Sequence, residues 1–69
     1  MSRPQRILAF IIAYQERYGY TPMRAEIARG IGVTDGSLSE PLRLLEKISA
    51  IKRVPGKQRN IRLVEKSAA

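Results

Sequence analysis

Sixty-nine residues form one domain, too small for a core that also encloses a catalytic cleft. Thirteen Lys and Arg against six Asp and Glu leave a formal charge of +7 and a pI near 10.6, the electrostatic footprint of a domain that meets a polyanion. With no Cys or His and six scattered acids, a disulfide framework and a thiolate metal site are excluded, and no enzyme, cofactor, metal or small-molecule substrate is expected.

The hydrophobic fraction of 43% is enough for a small packed core. No apolar run approaches the roughly 18 residues of a membrane span; the longest, Ile7 to Ala13, belongs to an amphipathic helix, so no membrane partner is expected. The opening Met-Ser-Arg-Pro-Gln-Arg does not read as a secretory signal. Nine Arg outnumber four Lys, a balance suited to phosphate forks and guanine edges.

Ser2-Arg3-Pro4-Gln5 predicts a helix start, with a Ser cap, Gln three residues on and Pro in the first turn. This helix runs to about Tyr18. Ile7, Ile11, Tyr14 and Tyr18 share one face, Leu8 and Ile12 widen it, and Gly19 ends it. Tyr18 reads as a partly buried packing residue, because base-stacking aromatics cluster on strand surfaces rather than at helix ends.

Tyr20-Thr21-Pro22 is an extended link, and Thr21 is placed to cap a second helix over Pro22 to Ile31. Ala25, Ala28 and Ile31 recur along it with Ile27 beside them, and Glu26 suits the positive end of the helix. Arg24 and Arg29 lie off that stripe. Gly32 supplies the positive φ that ends the helix.

The third helix has competing starts. Thr34 or Asp35 is one possible cap; Ser37, three residues before Glu40, is another. Pro41 opposes the earlier one because it has no N–H for the helical ladder. A loose or 3₁₀ turn at 34–37 and a helix from about Ser37 to Ile48 reconcile these signals. Leu38, Leu42, Leu45 and Ile48, with Ile31, form its core set. Two short helices hinged at a glycine in a basic chain predict a helix-turn-helix.

Ile51 to Val54 and Asn60 to Val64 read as hairpin strands around a turn at 55–59. Residues 65–69 read as a disordered tail, leaving 1–64 as the domain. Three helices and then a basic hairpin give a mainly α, α+β winged helix-turn-helix.

At this point the residues resemble one family. Thr-Pro-Met-Arg-Ala-Glu-Ile-Ala-Arg-Gly-Ile-Gly (21–32) is similar to the Pro-Thr-x-x-Glu-Ile-Ala-x-x-Leu-Gly segment of LexA repressor DNA-binding domains. Leu42-Arg-Leu-Leu-Glu-Lys, Ile51-Lys-Arg-Val-Pro-Gly-Lys and Ile61-Arg-Leu resemble the helix and wing that follow there. The chain departs from that pattern in a recognition region about one residue shorter and at three further places. Met23 stands at the capping Thr, Pro41 stands among helix formers, and Ser49-Ala50 replaces the glycine before the wing. These residues hold no cleavage site or Ser-Lys protease pair, so self-cleavage is not expected of them.

The resemblance implies a sequence-specific, repressor-like regulator of double-stranded DNA. Helix 37–48 would lie in the major groove and the wing at 55–59 on the backbone or minor groove. Ser37, Ser39, Glu40 and Arg43 are the expected base readers, Arg43 because its fork matches guanine O6 and N7. Arg24, Thr34, Lys52, Arg53, Lys57, Arg59 and Arg62 are the expected backbone or wing contacts, with Arg3 and Arg6 as further candidates. A cytoplasmic, nucleoid-associated location of prokaryotic, phage or plasmid origin follows, with a homodimer on DNA as one arrangement. The rival readings are a DNA-binding accessory factor of a phage or plasmid, and a winged-helix adaptor for protein or RNA. An adaptor requires an exposed apolar patch, whereas the exposed positions of the third helix and wing are expected to be polar or basic.

Overall fold

The computed structural model describes residues 2–56 and 59–64. Its elements in chain order are α1 (Arg3–Tyr18), α2 (Arg24–Ile31), a 3₁₀ turn (Asp35–Leu38), α3 (Ser39–Lys47), β1 (Ile51–Arg53) and β2 (Ile61–Leu63). The expected tail at 65–69 and the wing-tip residue Lys57 lie outside the described residues. No described helix is long and apolar enough to cross a membrane.

α1 begins as its sequence predicts. The Ser2 hydroxyl accepts from the Gln5 amide at 3.3 Å while the Gln5 side chain accepts from the Ser2 amide at 2.9 Å. Gly19 closes the helix at φ 82°. Ile7 and Ile11 are fully buried, whereas Tyr18 is 49% exposed, against expectation. Its ring lies at the end of α1, 4.5 Å from that of Tyr14 and tilted by 48° to it, so it packs on an aromatic neighbour outside the core.

α2 starts two residues later than expected, and Thr21 does not cap it. The Thr21 hydroxyl is buried and donates to the carbonyl of Ile61, 40 residues on. Met23 holds the cap position with no side-chain acceptor, and Glu26 reaches back to the Met23 amide at 2.7 Å. That carboxylate supplies the half of the capping arrangement that Met23 leaves intact. Ile27 and Ala28 face inward and Ile31 is half-buried; Ala25 is exposed. Gly32, at φ 76°, turns the chain toward the 3₁₀ turn.

Pro41 decides where α3 begins. A helix capped by Ser37 would need the residue-41 amide for its first bond. Starting at Ser39 instead puts Pro41 in the third helical position, where an N–H has no helical partner. The 3₁₀ turn absorbs Asp35–Leu38, and the expected capping box at Ser37 is replaced by a bond from the Ser37 hydroxyl to the Thr34 carbonyl at 2.8 Å.

Leu38, Leu42 and Leu45 are buried with Ile7, Ile11, Ile27, Ile51 and Ile61 in a single core. Ile48 is not part of it: the helix is already ending there, and the side chain is 53% exposed. The end is a Schellman motif. The Ala50 amide donates to Leu45 at 2.8 Å and the Ser49 amide to Glu46 at 3.0 Å, with Ser49 at φ 63°. β1 then pairs antiparallel with β2, Ile51 opposite Leu63, Lys52 opposite Arg62 and Arg53 opposite Ile61.

Candidate nucleic-acid interface

The inward face of α3 is Pro41, Leu42 and Leu45, continued from Leu38 of the 3₁₀ turn, and its exposed residues are Ser39, Glu40, Arg43, Leu44, Glu46 and Lys47. Arg24, the first residue of α2, holds the start of this helix. One guanidinium nitrogen donates to the Ser39 hydroxyl at 2.6 Å and to the Asp35 carbonyl at 3.0 Å, while Nε lies 3.2 Å from the Asp35 carboxylate. Arg24 and Ser39, both expected to meet DNA independently, are therefore bonded to each other. Together they fix the angle at which α3 leaves the turn.

Among the other expected readers, Ser37 is half-buried and turned onto Thr34, whereas Glu40 and Arg43 are exposed. Thr34, Asp35 and Gly36 are exposed in the turn ahead of them. Arg6 reaches the carbonyl of Ile31 at 3.4 Å, across the C-terminal end of α2. Leu44 is 45% exposed and, with Ile48, departs from the expected polar surface of this helix. Ile48 lines an apolar groove with Leu8, Ile12, Ala50, Leu63 and Val64. Leu44 lies instead beside Arg3, Pro4, Ser37 and Glu40.

On the hairpin, alternation puts Ile51 and Leu63 toward the core and Lys52 and Arg62 on the exposed side, directly opposite one another. Arg53 is half-buried. Arg59 is drawn inward. Its two terminal nitrogens meet Glu26 at 2.8 and 3.3 Å, one of them also donates to the Thr21 carbonyl at 3.0 Å, and the guanidinium lies 4.4 Å over the Tyr20 ring. Tyr14 donates to the second oxygen of Glu26 at 3.1 Å. The Arg59 fork, followed by the Met23 amide, holds the Glu26 carboxyl below its ordinary range. The same carboxylate raises Arg59, and loss of surrounding water is the main reason Tyr14 is raised.

The residue pattern did not reveal Arg59's internal role, because its partner lies 33 positions away. Gly30 was also missed. A Cβ there would overlap the Cε2 and Cζ atoms of Phe10, so the glycine lets α1 and α2 approach closely. A glycine inside a helix is the local signal that could have pointed to it.

Two helices joined by a tight turn, a supporting first helix and a closing antiparallel hairpin define a winged helix-turn-helix. The profile of the family described as "LexA DNA binding domain" matches residues 1–60. LexA repressor of Cellvibrio japonicus is 42% identical over 65 residues, covering 93% of this chain and 32% of that protein. LexA repressor of Pseudomonas chlororaphis is 42% identical over 62 residues, covering 88% and 31%. That of Haemophilus influenzae is 34% identical over 68 residues, covering 97% and 33%. The chain belongs to the LexA DNA-binding domain family. It spans about a third of the length of the curated relatives it matches.

Proposed function

We propose that this domain binds double-stranded DNA sequence-specifically and acts as a repressor of transcription in the bacterial cytoplasm; its family is described as a DNA-binding domain and its relatives are named repressors. The observation that carries the reading is α3. Leu42 and Leu45 are enclosed, its first turn is held by Arg24, and it offers Ser39, Glu40 and Arg43 outward, beside a half-exposed Leu44, on a chain of charge +7. In this reading Arg43 forks onto guanine, Ser39 and Glu40 contact neighbouring base edges, and Ser37 stays with the turn it bonds. Lys52, Arg62 and Lys57 meet phosphates, with Thr34 at the entry to the groove and Arg53 in a lesser part. Arg24 and Arg59 act from behind this surface. A module of this size holds few base pairs, so two copies on adjoining half-sites are the expected arrangement.

The test is selection of bound sequences from random duplex DNA at two salt concentrations. A recurring motif is expected, with log K falling against log salt at a slope of about −4 to −5 if five phosphates engage. Arg43→Ala should weaken the selected site by about 1–3 kcal/mol while sparing random DNA. Equal loss on every duplex would remove Arg43 from base readout, and enrichment without a motif would reduce the domain to a nonspecific binder.

The apolar groove beneath Ile12, Ile48 and Val64 favours a second role, as a protein-contacting adaptor surface separate from the polar face of α3. Concentration-dependent association that disappears in Ile48→Ser, with DNA affinity retained, would support it.

A further inference from the structure

The Glu26–Arg59 pair joins the first turn of α2 to the wing. We infer that Glu26 and Arg59 are positioning residues for DNA binding: their bidentate contact sets the wing at a fixed angle to α3, and neither touches the nucleic acid. The inference deepens the DNA-binding reading above and rests on it.

Four hydrogen bonds converge on the Glu26 carboxylate, two of them the strut itself. Glu26 accepts two donors from Arg59, one from Tyr14 on α1 and one from the Met23 amide at the head of its own helix. Arg59 adds the Thr21 carbonyl and the Tyr20 ring. Three of the five guanidinium N–H donors are spent on the Glu26 carboxylate and the Thr21 carbonyl, which leaves the end-on fork of Arg59 occupied inside the protein rather than open to a phosphate. Arg24 and Glu26 sit two residues apart on the same first turn, about 200° apart around the helix axis. One is bonded to the entry of α3 and the other to the base of the wing. The two candidate DNA-contacting elements are thus referred to a single helical turn. Because a misplaced contact loses most of its value, the precision of that turn governs how many contacts form at once.

The charges supply a discriminating experiment. Removing a carboxylate from a basic protein ordinarily strengthens its attraction to phosphate, so charge alone predicts that Glu26→Gln tightens binding. The strut predicts the reverse, a loss of about tenfold on the selected duplex at fixed salt. Arg59→Lys keeps the charge but not the fork; a phosphate contact would survive it, whereas the strut predicts a loss matching that of Glu26→Gln. The double variant should bind no worse than either single one, since both remove the same contact.

Amide exchange in the free variants supplies a readout independent of DNA. The Val54 amide, which donates to Asn60 at 2.7 Å across the hairpin, should exchange faster, while the α1 amides keep their protection. Unchanged or tighter DNA binding by Glu26→Gln, undiminished binding by Arg59→Lys, or unchanged Val54 exchange would each overturn the inference. If the wild-type protein binds no duplex, the DNA-binding reading fails by itself, and the exchange measurement still decides whether the strut exists.

Discussion

Lys52 and Arg62 face each other across the hairpin, both on its exposed side. Like charges directly opposite in a sheet repel, at a cost of a few tenths of a kcal/mol to about 1 kcal/mol. Such a pair is explicable if an anion lies over it. Lys52→Thr should therefore raise thermal stability slightly, by up to about 0.5 kcal/mol, and reduce the salt slope of DNA binding by roughly 0.9. A lower melting temperature together with an unchanged slope would show that this face meets solvent alone.

Ser49 carries the left-handed conformation that closes α3, at φ 63°. A non-glycine residue there is strained by about 1 kcal/mol, partly offset because glycine is freer in the unfolded chain. Ser49→Gly should stabilise the domain by roughly 0.5–1 kcal/mol, a rise of several degrees in Tm for a chain of this size. A fall in Tm would mean that the Ser49 side chain contributes more than its backbone strain removes.

Gly30→Ala sets two effects against each other. Alanine improves helix propensity by about 1 kcal/mol, but its methyl group would occupy the space of the Phe10 ring. Phe10 is half-buried against the core, so moving it opens the α1–α2 contact. A net destabilisation of about 1–2 kcal/mol is expected in urea unfolding. Restoration by Phe10→Leu in the same chain would identify the ring as the obstacle.

Glu26 gives the fold a definite acid response. Its carboxyl lies below the ordinary glutamate value, so it stabilises the folded state above about pH 4.3 and loses that contribution as pH falls through the lowered value. The difference in Tm between wild type and Glu26→Gln should be largest near neutrality and shrink as the pH falls below about 4.3 and through the lowered value. A gap that stays constant across that range would mean that the carboxylate is not held charged by Arg59.

The periodic parts of the molecule were legible in the sequence because their causes are local. The Ser2–Gln5 cap, the leucines of α3, the break at Gly32 and the alternation of Ile61, Arg62 and Leu63 each depend on neighbours within a few residues. Pro41 even fixed the kind of turn before α3, with the helix itself starting two residues later. What the sequence hid depends on distance along the chain. Thr21 has the chemistry of a cap but bonds β2 instead, and Arg59 has the chemistry of a phosphate contact but meets Glu26. No short spacing encodes either choice. Ile48 continues the heptad-like spacing of the stripe, yet the helix ends beneath it, so periodicity overran the core by one residue.

The bond from Thr21 to Ile61 also bears on the order of assembly. During synthesis the three helices emerge well before β2, and until that segment arrives Thr21 lacks its Ile61 acceptor and Glu26 holds only Tyr14 and the Met23 amide. A nascent chain halted ahead of residue 59 should therefore be a loose helical intermediate, open to proteases around the link at 19–23, and should tighten once residues 59–63 have emerged.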